Sequence, residues 1–182
     1  MLSFRHQSVL GIDIRLKPVF EGGPIHFQRV NIEITNVCNL QCSFCPEVIR
    51  SKTFMTKELF EKVITEVAPF TRIVTLHLMG EPLAHPELKT FLDLCMNQKL
   101  QVYFVTNGVL LKDPELLLHP ALRQVSFSLH SYYDNFPDKD PSLYLNRIFD
   151  FTQLAFEKRP NLFINYRLWN LNSIKGNHKH NE

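Results

Sequence analysis

Apolar residues in this chain recur with two periods, and segments of the two kinds alternate. Residues 30–35, VNIEIT, switch between apolar and polar at every step, the mark of a strand. From Thr56, a residue suited to an N-cap, Leu59, Phe60, Val63, Ile64 and Val67 repeat at three- and four-residue spacing. That spacing predicts a helix through Val67 with one buried face. Residues 72–78 are β-branched and apolar, a second strand. Pro86 suits the first turn of a helix through Gln98 that buries Leu88, Phe91, Leu92 and Cys95. Residues 101–106 read as a third strand, ended by the turn pair Asn107-Gly108. Pro114 opens a shorter helical stretch, and residues 124–129 form a fourth strand. A polar insert with Pro137 and Pro141 leads to a helix over 142–158 and a fifth strand over 162–168. Strands separated by helices imply parallel βαβ units and an α/β fold.

The strands share a second regularity. Ile32 and Ile34 oppose Asn31, Glu33 and Thr35; Val74, Leu76 and Leu78 oppose Thr75, His77 and Met79. Val125, Phe127 and Leu129 oppose Ser126, Ser128 and His130, and Ile164 and Leu168 oppose Asn165 and Arg167. A parallel sheet buried on both faces is apolar on both. One polar face implies a curved sheet with helices outside and a polar, ligand-lined interior, or else an open sheet with one wet face. Parallel sheets are rarely bare on one side, which favours the curved form.

The 182 residues suffice for one domain, and 45% apolar with 21% charged residues is ordinary for a globular protein. Residues 1–28 form an irregular N-terminal extension broken at Gly22-Gly23-Pro24, 29–170 the core, and 171–182 a polar tail. A formal charge of +2 gives no nucleic-acid or membrane signature. No apolar run approaches the ~20 residues of a membrane span, and the charged N-terminus lacks a secretory apolar region. The expected compartment is the cytoplasm, where clustered cysteines are metal ligands or redox groups rather than disulfides.

Such a cluster follows the first strand. Cys38, Cys42 and Cys45 lie in ITNVCNLQCSFCPE with the spacing Cys-x3-Cys-x2-Cys. Structural zinc and ordinary iron–sulfur clusters take four protein ligands, so three leave a metal position open. One alternative is zinc, completed by His26, His77 or His85. Another is a redox pair at Cys42 and Cys45. Zinc ligands usually come as paired knuckles, and no second Cys-x-x-Cys is present. Cys95 belongs to the apolar face of its helix, and His178 and His180 lie in the polar tail without a ligand role.

The cysteine spacing, the aromatic Phe44 before the last cysteine, and the position after the first strand resemble the radical S-adenosylmethionine (SAM) superfamily. The resemblance covers most of the chain, from about Val30 to Trp169. It implies an incomplete parallel (β/α) TIM-like barrel of about five βα units, where the family commonly has six. It implies a [4Fe–4S] cluster on Cys38, Cys42 and Cys45, with SAM on the fourth iron. It also implies an electron donor such as flavodoxin or ferredoxin, and reductive cleavage of SAM to a 5′-deoxyadenosyl radical that abstracts hydrogen from an unidentified substrate. The alternative is a non-catalytic or truncated fragment that binds a cluster or zinc without turnover.

Further residues carry the same resemblance. Met79-Gly80-Glu81-Pro82 resembles the family's Gly-Gly-Glu region, with Met79 replacing the first glycine; Gly80 and Glu81 are then SAM-binding. Asn107 edges the cofactor pocket or only shapes its turn. Ser128 corresponds to a serine near the SAM ribose or carboxylate. His130 stands where many relatives have aspartate, as a proton donor, a substrate contact or a structural group. Arg167 pairs with the SAM carboxylate, or lies at the surface over Trp169. No cysteine follows Cys95, so no auxiliary cluster is expected.

Overall fold

A computed structural model describes residues 26–168. Most of the N-terminal extension, Trp169 and the polar tail lie outside the described residues. Among the described residues five strands form a single sheet in the order β1-β2-β3-β4-β5, and every neighbouring pair is parallel. They are β1 (Val30–Asn31), β2 (Ile73–Thr75), β3 (Gln101–Thr106), β4 (Leu122–Ser128) and β5 (Phe163–Arg167). Between them run α1 (Lys57–Val67), α2 (Leu88–Asn97), α3 (His130–Asn135) and α4 (Ser142–Lys158). The sequential strand order with helical crossovers is the architecture of a partial (β/α) barrel.

α1 starts where the sequence places it. Thr56 is extended, and its hydroxyl accepts the Leu59 N–H at 3.3 Å, satisfying one of the orphan donors of the first turn. Thr56→Ala is expected to cost about 1 kcal/mol, read as a lower urea midpoint at unchanged slope.

Helices cover one face of the sheet. The Phe60 and Phe91 rings stack 4.0 Å apart and join α1 to α2. Phe127 meets Phe151 edge-on at 5.7 Å and joins β4 to α4. Val74, Phe104, Val125 and Phe127 are fully buried beneath them. On the opposite face the register aligns Asn31, Thr75, Tyr103 and Gln124 across four strands, and Ser128 with Arg167. Between Val102 and Tyr103 the β4 partner jumps from Leu122 to Gln124. One extra residue reverses the facing of the rest of the strand, which keeps Gln124, Ser126 and Ser128 on the polar side.

The first two strands are shorter than their sequence pattern. Their ladder ends at the bond from the Ile32 N–H to the Thr75 carbonyl, 2.8 Å. Beyond it the segment returning from the cysteine loop occupies the backbone of residues 34 and 35. Thr35 pairs antiparallel with Phe54, and the Met55 N–H donates to the Ile34 carbonyl at 2.8 Å. On the other side Glu33 accepts the Met79 N–H at 3.1 Å. The stretch opened by Pro114 is a 3-10 helix, Pro114–Leu118. The polar insert begins with a helix, α3, so His130 opens a helix instead of ending a strand.

Candidate metal and cofactor site

The cysteine loop springs from the C-terminal end of β1 and returns to it. Thr35 donates to the Thr53 carbonyl at 2.8 Å and accepts the Val37 N–H at 3.0 Å. Asn36 donates to the Ser51 carbonyl at 2.9 Å and accepts the Thr53 N–H at 2.7 Å. Arg50 pairs with the buried Glu33. Both ends of the loop are therefore tied to one strand, and the cysteines occupy the arc between them.

Cys38 and Cys42 are half-buried and Cys45 is exposed. Their sulfurs receive N–H groups: Leu40 at 3.5 Å and the Asn107 amide at 3.9 Å for Cys38, the Asn135 amide at 3.2 Å for Cys42. Burial, followed by the neighbouring Cys42 and Cys38, pushes the Cys45 thiol up to about 11. Burial also raises Cys38, against the Leu40 N–H. The three thiols thus act on one another. Among the described residues, however, no three Cys, His, Asp or Glu side chains converge tightly enough to hold a single metal ion.

Gly80 and Glu81 follow β2. Gly80 has φ +78°, and a Cβ there would strike the Thr35 carbonyl oxygen and lie 2.9 Å from that of Val37. The Glu81 N–H donates to the Val37 carbonyl at 2.8 Å. Glycine at this position lets the end of β2 press against the root of the cysteine loop. The Glu81 side chain is turned inward. One carboxylate oxygen accepts the Leu83 N–H at 3.0 Å and the Thr106 hydroxyl at 2.7 Å; the other accepts the Asn107 N–H at 2.7 Å. Burial raises its pKa above the ordinary carboxylate value, opposed by those three donors.

Asn107 bridges the end of β3 to the loop. Its amide donates to Asn39 at 2.9 Å and its oxygen accepts the Val109 N–H at 2.9 Å. The Tyr144 hydroxyl of α4 donates to the Asn107 carbonyl at 2.8 Å. Further along the same edge Ser128 is half-buried and in register with Arg167. His130 Nδ1 lies 3.1 Å from the Arg167 carbonyl, and its ring meets Phe44 at 5.0 Å. Burial lowers the pKa of His77, and the Arg167 charge lowers it further. Burial is also the main cause of the lowered pKa of His130. His77, His130 and Arg167 thus share one electrostatic neighbourhood at the strand ends.

The cysteine arc is also held from α3. Asp134 accepts the Ser43 N–H and the Ser43 hydroxyl, both at 2.6 Å. Asn135 accepts the Gln41 N–H at 2.8 Å. Nothing in the sequence pattern distinguishes these two residues within the polar insert. Tyr144, Glu33 and Asn36 were equally silent, because their partners are distant in sequence.

Residues 32–169 match the model of the Radical SAM superfamily. The chain belongs to the radical SAM superfamily. Solved radical SAM enzymes share its fold. BtrN in complex with AdoMet and 2-DOIA superposes with a TM-score of 0.61 at 19% identity, covering 78% of this chain and 57% of that one. Streptococcus suis SuiB bound to precursor peptide SuiA gives 0.61 at 20%, covering 78% and 33%. AnSMEcpe with AdoMet and a Cp18Cys peptide gives 0.51 at 18%, covering 75% and 42%. The chain spans about half or less of these structures. No curated protein matches it.

The donor set fits the family's cofactor better than it fits zinc. A cubane cluster places each cysteine sulfur on a different iron, whereas zinc draws all its sulfurs to about 2.3 Å from one point. His85 bonds through Nε2 to the Met55 carbonyl and through Nδ1 to the Glu87 N–H, and His26 Nδ1 bonds the Phe70 carbonyl. Both ring nitrogens of His85, and one of His26, are thus engaged away from the thiols. Cys95 is fully buried in the core, its thiol pushed up to about 12 by burial, which makes it inert.

Proposed function

We propose that this chain is a radical SAM enzyme core, residues 29–170, that acts in the cytoplasm on an unidentified substrate. Cys38, Cys42 and Cys45 hold a [4Fe–4S] cluster and leave its fourth iron to SAM. The observation that carries this reading is the convergence of the cysteine loop with the ends of β2, β3, β4 and β5 on one edge of the sheet. The close approach of Gly80 to the loop root, the hydrogen bonds of Glu81 and Asn107, and the pairing of Ser128 with Arg167 mark that edge. When bound, the cluster and SAM supply one-electron cleavage of SAM to methionine and a 5′-deoxyadenosyl radical, which takes a hydrogen atom from the substrate.

The chain's own residues position and shield. Gly80 presents backbone to the SAM amino group, and Ser128 and Arg167 offer a hydroxyl and a guanidinium to its ribose and carboxylate. Glu81 holds the ends of β2 and β3 from behind, which fixes Asn107 beside Cys38. Phe44 and His130 close the side next to the last cysteine. An external electron donor such as flavodoxin or ferredoxin supplies the reducing equivalent. Among the described residues no helix is long and apolar enough to cross a membrane.

Anaerobic reconstitution of the whole chain with iron and sulfide tests this. About four irons per chain are expected, with 5′-deoxyadenosine released on adding dithionite and SAM. Cys38→Ala should lose both. Purified protein that carries zinc, and neither takes up the cluster nor binds SAM, would overturn the reading in favour of a non-catalytic metal-binding fragment.

A further inference from the structure

Besides the ring contact of His130 with Phe44, α3 reaches the cysteine motif by hydrogen bonds that span 91 to 94 residues of sequence. Asp134 takes both donors of Ser43, which lies between the second and third cysteines. Asn135 touches the residue before Cys42 and the Cys42 sulfur itself. Its amide orientation is fixed by its partners. Nδ2 also donates to the Ser131 carbonyl at 2.9 Å, while Oδ1 accepts the Gln41 N–H. The flipped amide would set oxygen against oxygen at Ser131 and N–H against N–H at Gln41. The donor at Cys42 is therefore specified by geometry. At 3.2 Å it is shorter than the bonds from Leu40 and Asn107 to the Cys38 sulfur.

An N–H aimed at a metal-bound sulfur stabilises negative charge there, and it does so more strongly after the metal centre gains an electron. Such bonds are a recognised lever on the potential of iron–sulfur clusters. We propose that Asn135 is a positioning residue for the metal centre: its amide holds Cys42 in place and raises the reduction potential of the cluster, while Asp134 secures the arc without touching a sulfur. This rests on the cluster reading above. Because α3 follows β4 directly, the clamp also locks the cysteine arc to the strand end that bears Ser128.

Two readouts test the proposal in the full chain. In metal-free protein, Asn135→Ala should speed hydrogen exchange at the Gln41 amide about tenfold, the size of one lost hydrogen bond. In reconstituted protein, the midpoint potential followed by electron paramagnetic resonance should move to a more negative value. Asn135→Asp keeps the acceptor for Gln41 and replaces only the donor, so it should lower the potential at least as far; it serves too if the alanine variant fails to fold. Asp134→Ala should speed exchange at Ser43 and, because it removes a carboxylate whose charge acts on Cys45, should not move the potential to a more negative value. A parent that holds its cluster while both Asn135 variants keep its potential would overturn the proposal. So would an equal shift in Asp134→Ala, which would mean general loosening rather than an N–H···S bond. A parent that takes up no cluster sinks the proposed function itself, visible in iron content rather than in potential, and the redox role of Asn135 with it.

Discussion

Gly80→Ala is expected to lower the thermal midpoint by about 6–12 °C, corresponding to about 3 kcal/mol in a chain of this size. Two costs add. At φ +78° an L-residue loses about 1–2 kcal/mol to its own backbone. The new methyl also meets the carbonyl oxygens of Thr35 and Val37 and the carbonyl carbon of Asn36, the last at 3.0 Å. These atoms are backbone, and Asn36 and Thr35 are tied to residues 51 and 53, so they cannot swing away. Gly108→Ala is the matched control. Its φ is +75°, but its Cβ would meet side-chain carbons, Ile148 Cδ1 at 3.0 Å and Phe127 Cδ1 at 3.1 Å. Side-chain ends yield more readily than backbone, so the loss there should be about 1–2 kcal/mol. Equal midpoints for the two variants would contradict the backbone-clash account. Because Gly80 lies against the root of the cysteine loop, its variant should also slow cluster uptake, which Gly108→Ala should not.

Glu81→Ala should destabilise by about 3–5 kcal/mol, since it strands the N–H groups of Leu83 and Asn107 and the Thr106 hydroxyl in the interior. Glu81→Gln is not a rescue. Its single carbonyl oxygen serves one side of the site, and its NH2 then faces a backbone N–H on the other; a loss of about 2 kcal/mol is expected. The carboxyl also predicts a pH dependence with a definite sign. Burial raises its folded-state pKa above the ordinary carboxylate value, so the folded protein holds this proton where the unfolded chain has released it. The stability contributed by the protonated form is complete below the ordinary carboxylate pKa and is lost as pH rises through the raised value. Urea midpoints across that window should fall with pH more steeply in the parent than in Glu81→Gln. A parent no steeper than the variant would mean that Glu81 titrates like an ordinary surface carboxyl.

The same residues separate what one dimension of information reaches from what it does not. Helix α1 was legible because its cap and its apolar stripe are local: Thr56 is three residues from the N–H it accepts. The facing of β4 and β5 was legible because alternation along a strand survives folding. β1 and β2 were overextended because their pairing is cut short by a segment arriving from residues 54 and 55, and no local pattern announces that competition. In the site, the cysteine loop was readable from spacing and the strand-end residues from their order. The inward turn of Glu81 was not, because its partners at Thr106 and Asn107 lie 25 and 26 residues away.

The sequence by itself determined an alternating α/β chain with one polar sheet face, and three cysteines on the first strand's exit loop that are too few to close a metal site. Those properties depend on periodicity and spacing, which are local. Only the tertiary structure decided that the polar insert begins with a helix, that Asp134 and Asn135 grip the cysteine arc, and that Gly80 must be glycine because two backbones meet there. Those are contacts between segments tens of residues apart, and their geometry exists only once the sheet has brought the strand ends together.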